Sequence, residues 1–261
     1  MKIPFSKASA NGNDFIFILS EHLPKRCSIN SLVRRLCDRH NGIGSDGLFI
    51  VWKHRSYDFK LDYYNSDGSW EALCANGSRC AVRFMYEIHK YKKNVVFLAG
   101  DGQHEASIVD EVLVSMKMNL PIYKSQLISP EGIAGYFVDT GADHFVSELE
   151  KADDDLILTD SKKVRYAADF SPKGINVNFY KLISKYKVEI HTYEKGIEKI
   201  MQSCASGSTA VIFHLYNKGL VKSPVETVSR GGSLLFTFDK QWKNIMTTGP
   251  AKIIFSGEVK L

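Results

Sequence analysis

The string Cys74-Ala75-Asn76-Gly77-Ser78 returns, with one residue changed, as Cys204-Ala205-Ser206-Gly207-Ser208, 130 positions later in a chain of 261 residues. The same offset superposes Phe15 on Phe145, Gly44 on Gly174, Phe49 on Phe179, Tyr63 on Tyr193 and Tyr86 on Tyr216. Collinear matches at one fixed distance mark a duplicated unit. Such a chain folds twice into the same small architecture, and a unit facing its copy would bring one cysteine from each half to a shared cleft.

With 44% hydrophobic residues the chain can bury one large core or two medium ones, and the duplication favours two. Its formal charge of +5 is spread along the chain; the densest basic cluster, Lys90-Tyr91-Lys92-Lys93, is short. Nucleic-acid binding needs a concentrated basic footprint, so it is not expected, whereas an acidic small molecule is compatible. The start Met1-Lys2-Ile3-Pro4-Phe5-Ser6-Lys7 lacks a signal-peptide core. No stretch approaches the ~20 apolar residues of a membrane span. A cytoplasmic protein without a membrane partner is expected. The five cysteines, Cys27, Cys37, Cys74, Cys80 and Cys204, are odd in number and contain no Cys-x-x-Cys pair. Neither a disulfide framework nor a zinc ribbon is indicated, and no metal is expected.

Short β-branched or aromatic runs predict strands at Leu48 to Trp52, Val95 to Ala99, Gly135 to Val138, Val177 to Leu182, Lys187 to Tyr193, Leu234 to Phe238 and Lys252 to Phe255, with Val109 to Met118 alternating in part. Helices are predicted from Ser31 to Cys37, after Cys74 to about His89, and after Cys204 to about Lys218. Each repeat thus reads as several strands and one long apolar helix that begins at the cysteine. Asn119-Leu120-Pro121 is the expected boundary, giving domains 1–119 and 120–261, with residues 252–261 able to return to the first.

Gly42-Ile43-Gly44-Ser45-Asp46-Gly47 satisfies G-x-G-x-x-G, but a helix-like segment precedes it and a strand follows. A dinucleotide fingerprint needs the opposite order, so the segment is read as a turn supplying backbone groups to a site.

The first turn of a helix presents unpaired N–H groups and the positive end of the macrodipole. It lowers the pKa of a thiol placed there and cradles a carboxylate. Two such starts would hold a carboxylate with a sulfur on each side of the adjacent carbon, suited to removing a proton from one face and delivering one to the other. One sulfur must then be thiolate and the other thiol. His144 and Glu194, in loop-like junctions of the second half, could tune them or be ordinary surface groups. Asn13, Asn65 and Asn176 could orient a zwitterionic substrate or serve as turn residues. A Cys-His hydrolase would account for one cysteine only.

The chain resembles the cofactor-independent diaminopimelate epimerases from end to end. The likeness is carried by Gly12-Asn13-Asp14-Phe15, Asp38-Arg39-His40 through Gly47, Tyr64-Asn65-Ser66-Asp67-Gly68-Ser69, Cys74 to Cys80, and Asp139-Thr140-Gly141 with His144. It continues through Gly174 to Phe179, Tyr193-Glu194-Lys195-Gly196, Cys204-Ala205-Ser206-Gly207 and Gly249-Pro250-Ala251. The resemblance implies an α/β (α+β) fold of two pseudo-symmetric domains, each a curved sheet or barrel around a central helix, with the site in the cleft between them. It implies Cys74 and Cys204 as the acid/base pair, working without pyridoxal phosphate or metal, so no cofactor is expected. His144 and Glu194 match positions that hydrogen-bond near the thiols. Asn13 and the backbone around Ala75-Asn76 and Ala205-Ser206 would hold the reacting amino-acid end, while Asn65, Asn176 and Lys195 would grip the distal end. A small amino acid is the expected partner, and a homodimer is compatible.

Departures from the family pattern concentrate at distal recognition. Lys195 stands where the family has arginine, and lysine cannot reproduce a planar bidentate clamp on a carboxylate. Ala142 replaces a frequent asparagine, Ile200-Met201 a Glu-Thr pair, and Ala75 and Ala205 a glycine. Ser9-Ala10-Asn11 also differs. The expected activity is interconversion of LL- and meso-diaminopimelate. Epimerisation of another α-amino acid by the same two cysteines, or capture of an amino acid without turnover, remains an alternative.

Overall fold

A computed structural model describes residues 2–149 and 153–260. The polypeptide divides into two compact units, residues 1–117 with 248–261, and residues 118–247.

In the first unit, strand Lys2–Ala10 pairs antiparallel with both Asn13–Leu19 and Lys252–Lys260. Asn13–Leu19 runs parallel to Gly47–Trp52, reached through helix α1 (Ile29–Cys37). Gly47–Trp52 pairs antiparallel with Phe59–Asn65, which lies parallel to Asn94–Ala99. Strands Gly102–Ile108 and Leu113–Lys117 complete the series antiparallel. Between Phe59–Asn65 and Asn94–Ala99 lies helix α2 (Ala75–Glu87), capped by Cys74. Every residue of α2 from Ala75 to Met85 is buried, because the strands enclose it. Phe17 stacks on both Phe49 (5.1 Å between centroids) and Phe84 of α2 (5.5 Å), joining sheet to helix.

The second unit repeats this plan. Tyr136–Asp139 pairs antiparallel with Asp143–Glu148, which runs parallel to Asn176–Ser184. Helix α3 (Asp154–Arg165) makes that crossover. Asn176–Ser184 pairs antiparallel with Lys187–Glu194, itself parallel to Val225–Ser229, with Gly232–Thr237 beyond. Helix α4 (Ala205–Asn217), capped by Cys204, packs on the strands Asp143–Glu148 and Asn176–Ser184. It stops at Gly219, whose positive φ allows Gly219 N–H to reach Tyr216 O and Leu220 N–H to reach Leu215 O. The two central helices have the same length, 13 residues, and begin one residue after their cysteines. No helix among the described residues is long and apolar enough to cross a membrane.

Three local expectations need correction. His144 and Glu194, read as lying in loop-like junctions, belong to the strands Asp143–Glu148 and Lys187–Glu194, where backbone pairing fixes them. Val109 to Met118 is not one strand: Asp110 Oδ1 accepts from Val112 N–H and Leu113 N–H, closing a turn before strand Leu113–Lys117. Helix α3 has no counterpart among the predicted helices, although its signals are present. Asp153 caps it by accepting from Asp155 and Leu156 N–H, acids open it, and Lys162, Lys163 and Arg165 close it.

Candidate active site

In the first unit, Cys74 is partly exposed at the N-cap of α2, where its carbonyl accepts from Ser78 N–H (2.8 Å). Ala75 and Asn76 are buried in the first turn. Asn76 Nδ2 donates to Asn13 Oδ1 (3.0 Å), and Asn13 Nδ2 donates to Asp46 Oδ2 (3.0 Å). Asp46 belongs to the glycine-rich turn, which is held by charge: Arg39 bridges Asp14 and Asp46 (2.7 Å each), and Lys7 pairs with Asp14 at 2.8 Å. Lys7 Nζ also donates to the Gly44 carbonyl. These cations outweigh the burial of Asp14 and hold its carboxyl below the usual range. The G-x-G-x-x-G segment is therefore a turn whose Asp46 orients Asn13.

Asn65 closes its strand with both amide groups engaged, accepting from Tyr63 Oη (2.8 Å) and donating to Ser69 Oγ (3.2 Å). Arg79, one turn into α2, is fully buried, and among the described residues no carboxylate pairs with its guanidinium. Its Nη2 donates to Asn11 Oδ1 (2.6 Å) and Asn76 Oδ1 (2.7 Å), while Nε and Nη1 have no hydrogen-bond partner among the described residues. Burial lowers its pKa to about 10, opposed by the thiols of Cys80 and Cys74.

In the second unit, Cys204 caps α4 and its Sγ accepts from Gly207 N–H (3.4 Å) and lies 3.3 Å from Ser206 Oγ. Ala205 is buried behind it. Ser206 Oγ is 3.1 Å from His144 Nε2, so the serine stands between the imidazole and the sulfur. His144 is fully buried, which lowers its pKa to about 3 and keeps the ring neutral. Asn176 Nδ2 donates to the Asp143 carbonyl (2.9 Å) and its Oδ1 accepts from Lys195 N–H (2.9 Å), placing the turn after Glu194.

The thiol of Cys204 departs from the helix-start argument. N–H groups of Ser206 and Gly207 do favour a thiolate, but burial and the Glu194 carboxylate win and push its pKa up to about 11. Free of substrate, this sulfur carries its proton at neutral pH.

Asn178, Thr192, Asp46 and Arg79 belong to these surroundings without having been singled out from sequence. A signal existed for Asn178: it stands two residues from Asn176 in a run of apolar strand residues, where an unpaired amide would be costly.

A family model for diaminopimelate epimerase matches residues 5–121 and 136–254. The chain is 34% identical to the diaminopimelate epimerase of Aquifex aeolicus, covering 98% of this chain and 97% of that protein. It is 36% identical to that of a Hydrogenobaculum strain, covering 97% and 96%. Among solved structures, a probable proline racemase from Agrobacterium radiobacter superposes with a TM-score of 0.77 at 14% identity, covering 99% of this chain and 93% of that one. A hydroxyproline epimerase from Agrobacterium vitis gives 0.76 at 14%, covering 99% and 91%. At these identities the structural likeness speaks for the fold.

Proposed function

The chain belongs to the diaminopimelate epimerase family, and from that premise we propose that Cys74 and Cys204 are the two acid/base groups of its reaction. The protein is an isomerase that interconverts LL- and meso-diaminopimelate, a step of lysine biosynthesis. The observation that carries the assignment is the pair of equal helices, each begun by a cysteine at the same place in the repeat.

Inversion at an α-carbon needs a base on one face and an acid on the other. One sulfur takes the α-proton, the carbanion is held while negative charge spreads into its carboxylate, and the other sulfur delivers a proton from the opposite face. N–H groups in the first turns, at Ala75-Asn76 and Ala205-Ser206, are suited to that growing charge. Asn13, fixed by Asp46 and Asn76, would orient the reacting end. Asn65, Asn176 and Lys195 would serve the distal end.

Each unit biases its own sulfur. Arg79 is a buried cation whose charge acts on Cys80 and Cys74. Burial holds the neighbouring Cys80 up at about 12. Cys204, held up at about 11 by burial and Glu194, keeps its proton. With Cys204 holding its proton as the acid, the role of base falls to Cys74, and the roles exchange in the reverse direction. Because both sulfurs must stay reduced, we place the enzyme in the cytoplasm.

The test is incubation with LL-diaminopimelate in heavy water, following α-deuterium and stereochemistry. Deuterium should enter at one α-carbon as the meso form appears. Stereochemical change without deuterium uptake would remove the two-base assignment, and unchanged LL-diaminopimelate would remove the activity itself.

A further inference from the structure

The hydrogen bonds behind Cys204 form one directed chain, and its direction is set at the far end. Asn178 is fully buried, with its amide oxygen 2.9 Å from Thr192 Oγ1 and its amide nitrogen 3.0 Å from the Phe145 carbonyl and 3.0 Å from His144 Nδ1. A backbone carbonyl only accepts, so the amide nitrogen, not the oxygen, must face Phe145. Its second hydrogen then points at His144 Nδ1, which must offer a lone pair. The neutral ring therefore carries its single proton on Nε2. That N–H donates to Ser206 Oγ at 3.1 Å, and the serine's own hydrogen is left for Cys204 Sγ at 3.3 Å. The hydroxyl joins the Gly207 and Ser206 N–H groups that already face the sulfur, whose proton, when present, has no acceptor in this chain of bonds. Gly207 is part of the device: a Cβ there would overlap the Asn178 amide oxygen. The charged groups acting on this chain are Glu194 on Cys204 and, on His144, Asp139 and Lys195.

We propose that Asn178 is a positioning residue which, by selecting the Nε2–H tautomer of His144, makes the Ser206 hydroxyl a donor to the Cys204 sulfur. The thiolate that forms when Cys204 gives up its proton is thereby met by a hydroxyl already turned toward it. This rests on the reading of Cys204 as an acid/base group, but its geometry and its test do not require turnover.

The experiment has two readouts on the full chain. Two-dimensional 1H–15N spectra of histidine-labelled protein report the His144 tautomer. Alkylation by iodoacetamide, followed by mass spectrometry of the Cys204 peptide across pH, reports that thiol apart from the other four. In the unaltered protein, His144 should bear its proton on Nε2. Ser206→Ala should leave the tautomer in place, slow Cys204 alkylation about tenfold at neutral pH and move its midpoint up about one pH unit, the scale of one hydrogen bond to an ionised sulfur. Ser206→Thr should restore both. Asn178→Asp, which accepts from Nδ1–H, should invert the tautomer and shift Cys204 similarly, adding little in the Ser206→Ala background.

A proton on Nδ1 in the unaltered protein would overturn the proposal, as would unchanged alkylation in Ser206→Ala. A full additional Asn178→Asp effect in the double variant would also overturn it, because a through-space charge, not the serine, would then be acting. Failure of the acid/base reading looks different: Cys204→Ser would then epimerise at nearly the normal rate while these readouts stayed as expected.

Discussion

Gly77 and Gly207 occupy the same place in the repeat, three residues after the cysteine, yet each is required by a different neighbour. A Cβ at Gly77 would enter the Phe49 ring, and one at Gly207 would enter the Asn178 amide. Gly77→Ala should therefore be an overpacking change costing about 1–3 kcal/mol, read as a lower urea midpoint. Gly207→Ala should appear chiefly as a displaced pH profile for Cys204 alkylation, and an unchanged profile would mean that Asn178 tolerates the methyl group. The cysteines themselves have no tolerance of this kind. Cys74→Ser or Cys204→Ser should cut epimerisation by orders of magnitude with the fold intact, since a hydroxyl is far less acidic than a thiol. Near-normal turnover by either variant would end the two-base account. At Lys195, whose N–H is fixed by Asn176, the side chain is a point charge in place of a planar fork. Lys195→Arg should raise kcat/KM for diaminopimelate relative to shorter amino acids, and an unchanged ratio would show that Lys195 does not touch the distal carboxylate.

At the level of elements, helix α3 offers a test free of catalysis. Asp153→Ala removes the acceptor for two N–H groups and should cost about 1 kcal/mol, checked by urea unfolding, with epimerisation unchanged. This helix shows what the sequence conceals. The helices after Cys74 and Cys204 were legible because the chain states them twice, with apolar residues at helical spacing around each. Helix α3 buries only Ile157, Ser161 and Val164 among the described residues, so its polar remainder reads as loop. Strand Gly47–Trp52 was legible as a run of β-branched and aromatic residues, whereas Gly102–Ile108 carries too many polar residues to read as one. Register was not legible at all. The parallel pairing Phe15 opposite Gly47 is repeated as Phe145 opposite Val177. The antiparallel pairing Gly47 opposite Asn65 is not: Val177 lies opposite Tyr193, two residues short of Lys195. A slip of two keeps every side chain on its face, so the repeat survives while Lys195 falls into the turn beyond the strand. Asn178 lay inside the strand predicted from Val177 to Leu182, but its partners across the unit were not readable from the sequence.

For the molecule as a whole, two histidines tie stability to pH. Burial holds His144 at about 3 and His214 at about 4, both below the ordinary 6.5. The unfolded chain therefore binds a proton at each that the folded chain refuses, and stability falls as pH drops below about 6.5, by up to about 1.4 kcal/mol per pH unit for each histidine. The loss levels off once the pH passes below the folded values. Urea midpoints at pH 7 and pH 5 should differ accordingly, and His214→Phe should reduce the difference by the share of that one ring. Equal midpoints at the two pH values would mean that these rings take up protons without unfolding.

The strand Lys252–Lys260 lies against Lys2–Ala10, so the first unit is sewn shut by residues almost a whole chain length away. On a ribosome, residues 118–247 are all available while the first unit still exposes the bare edge of its opening strand. The half that is made first is thus the half that is finished last, and during synthesis its Cys74 helix waits in an incomplete shell for the tail of the chain to emerge.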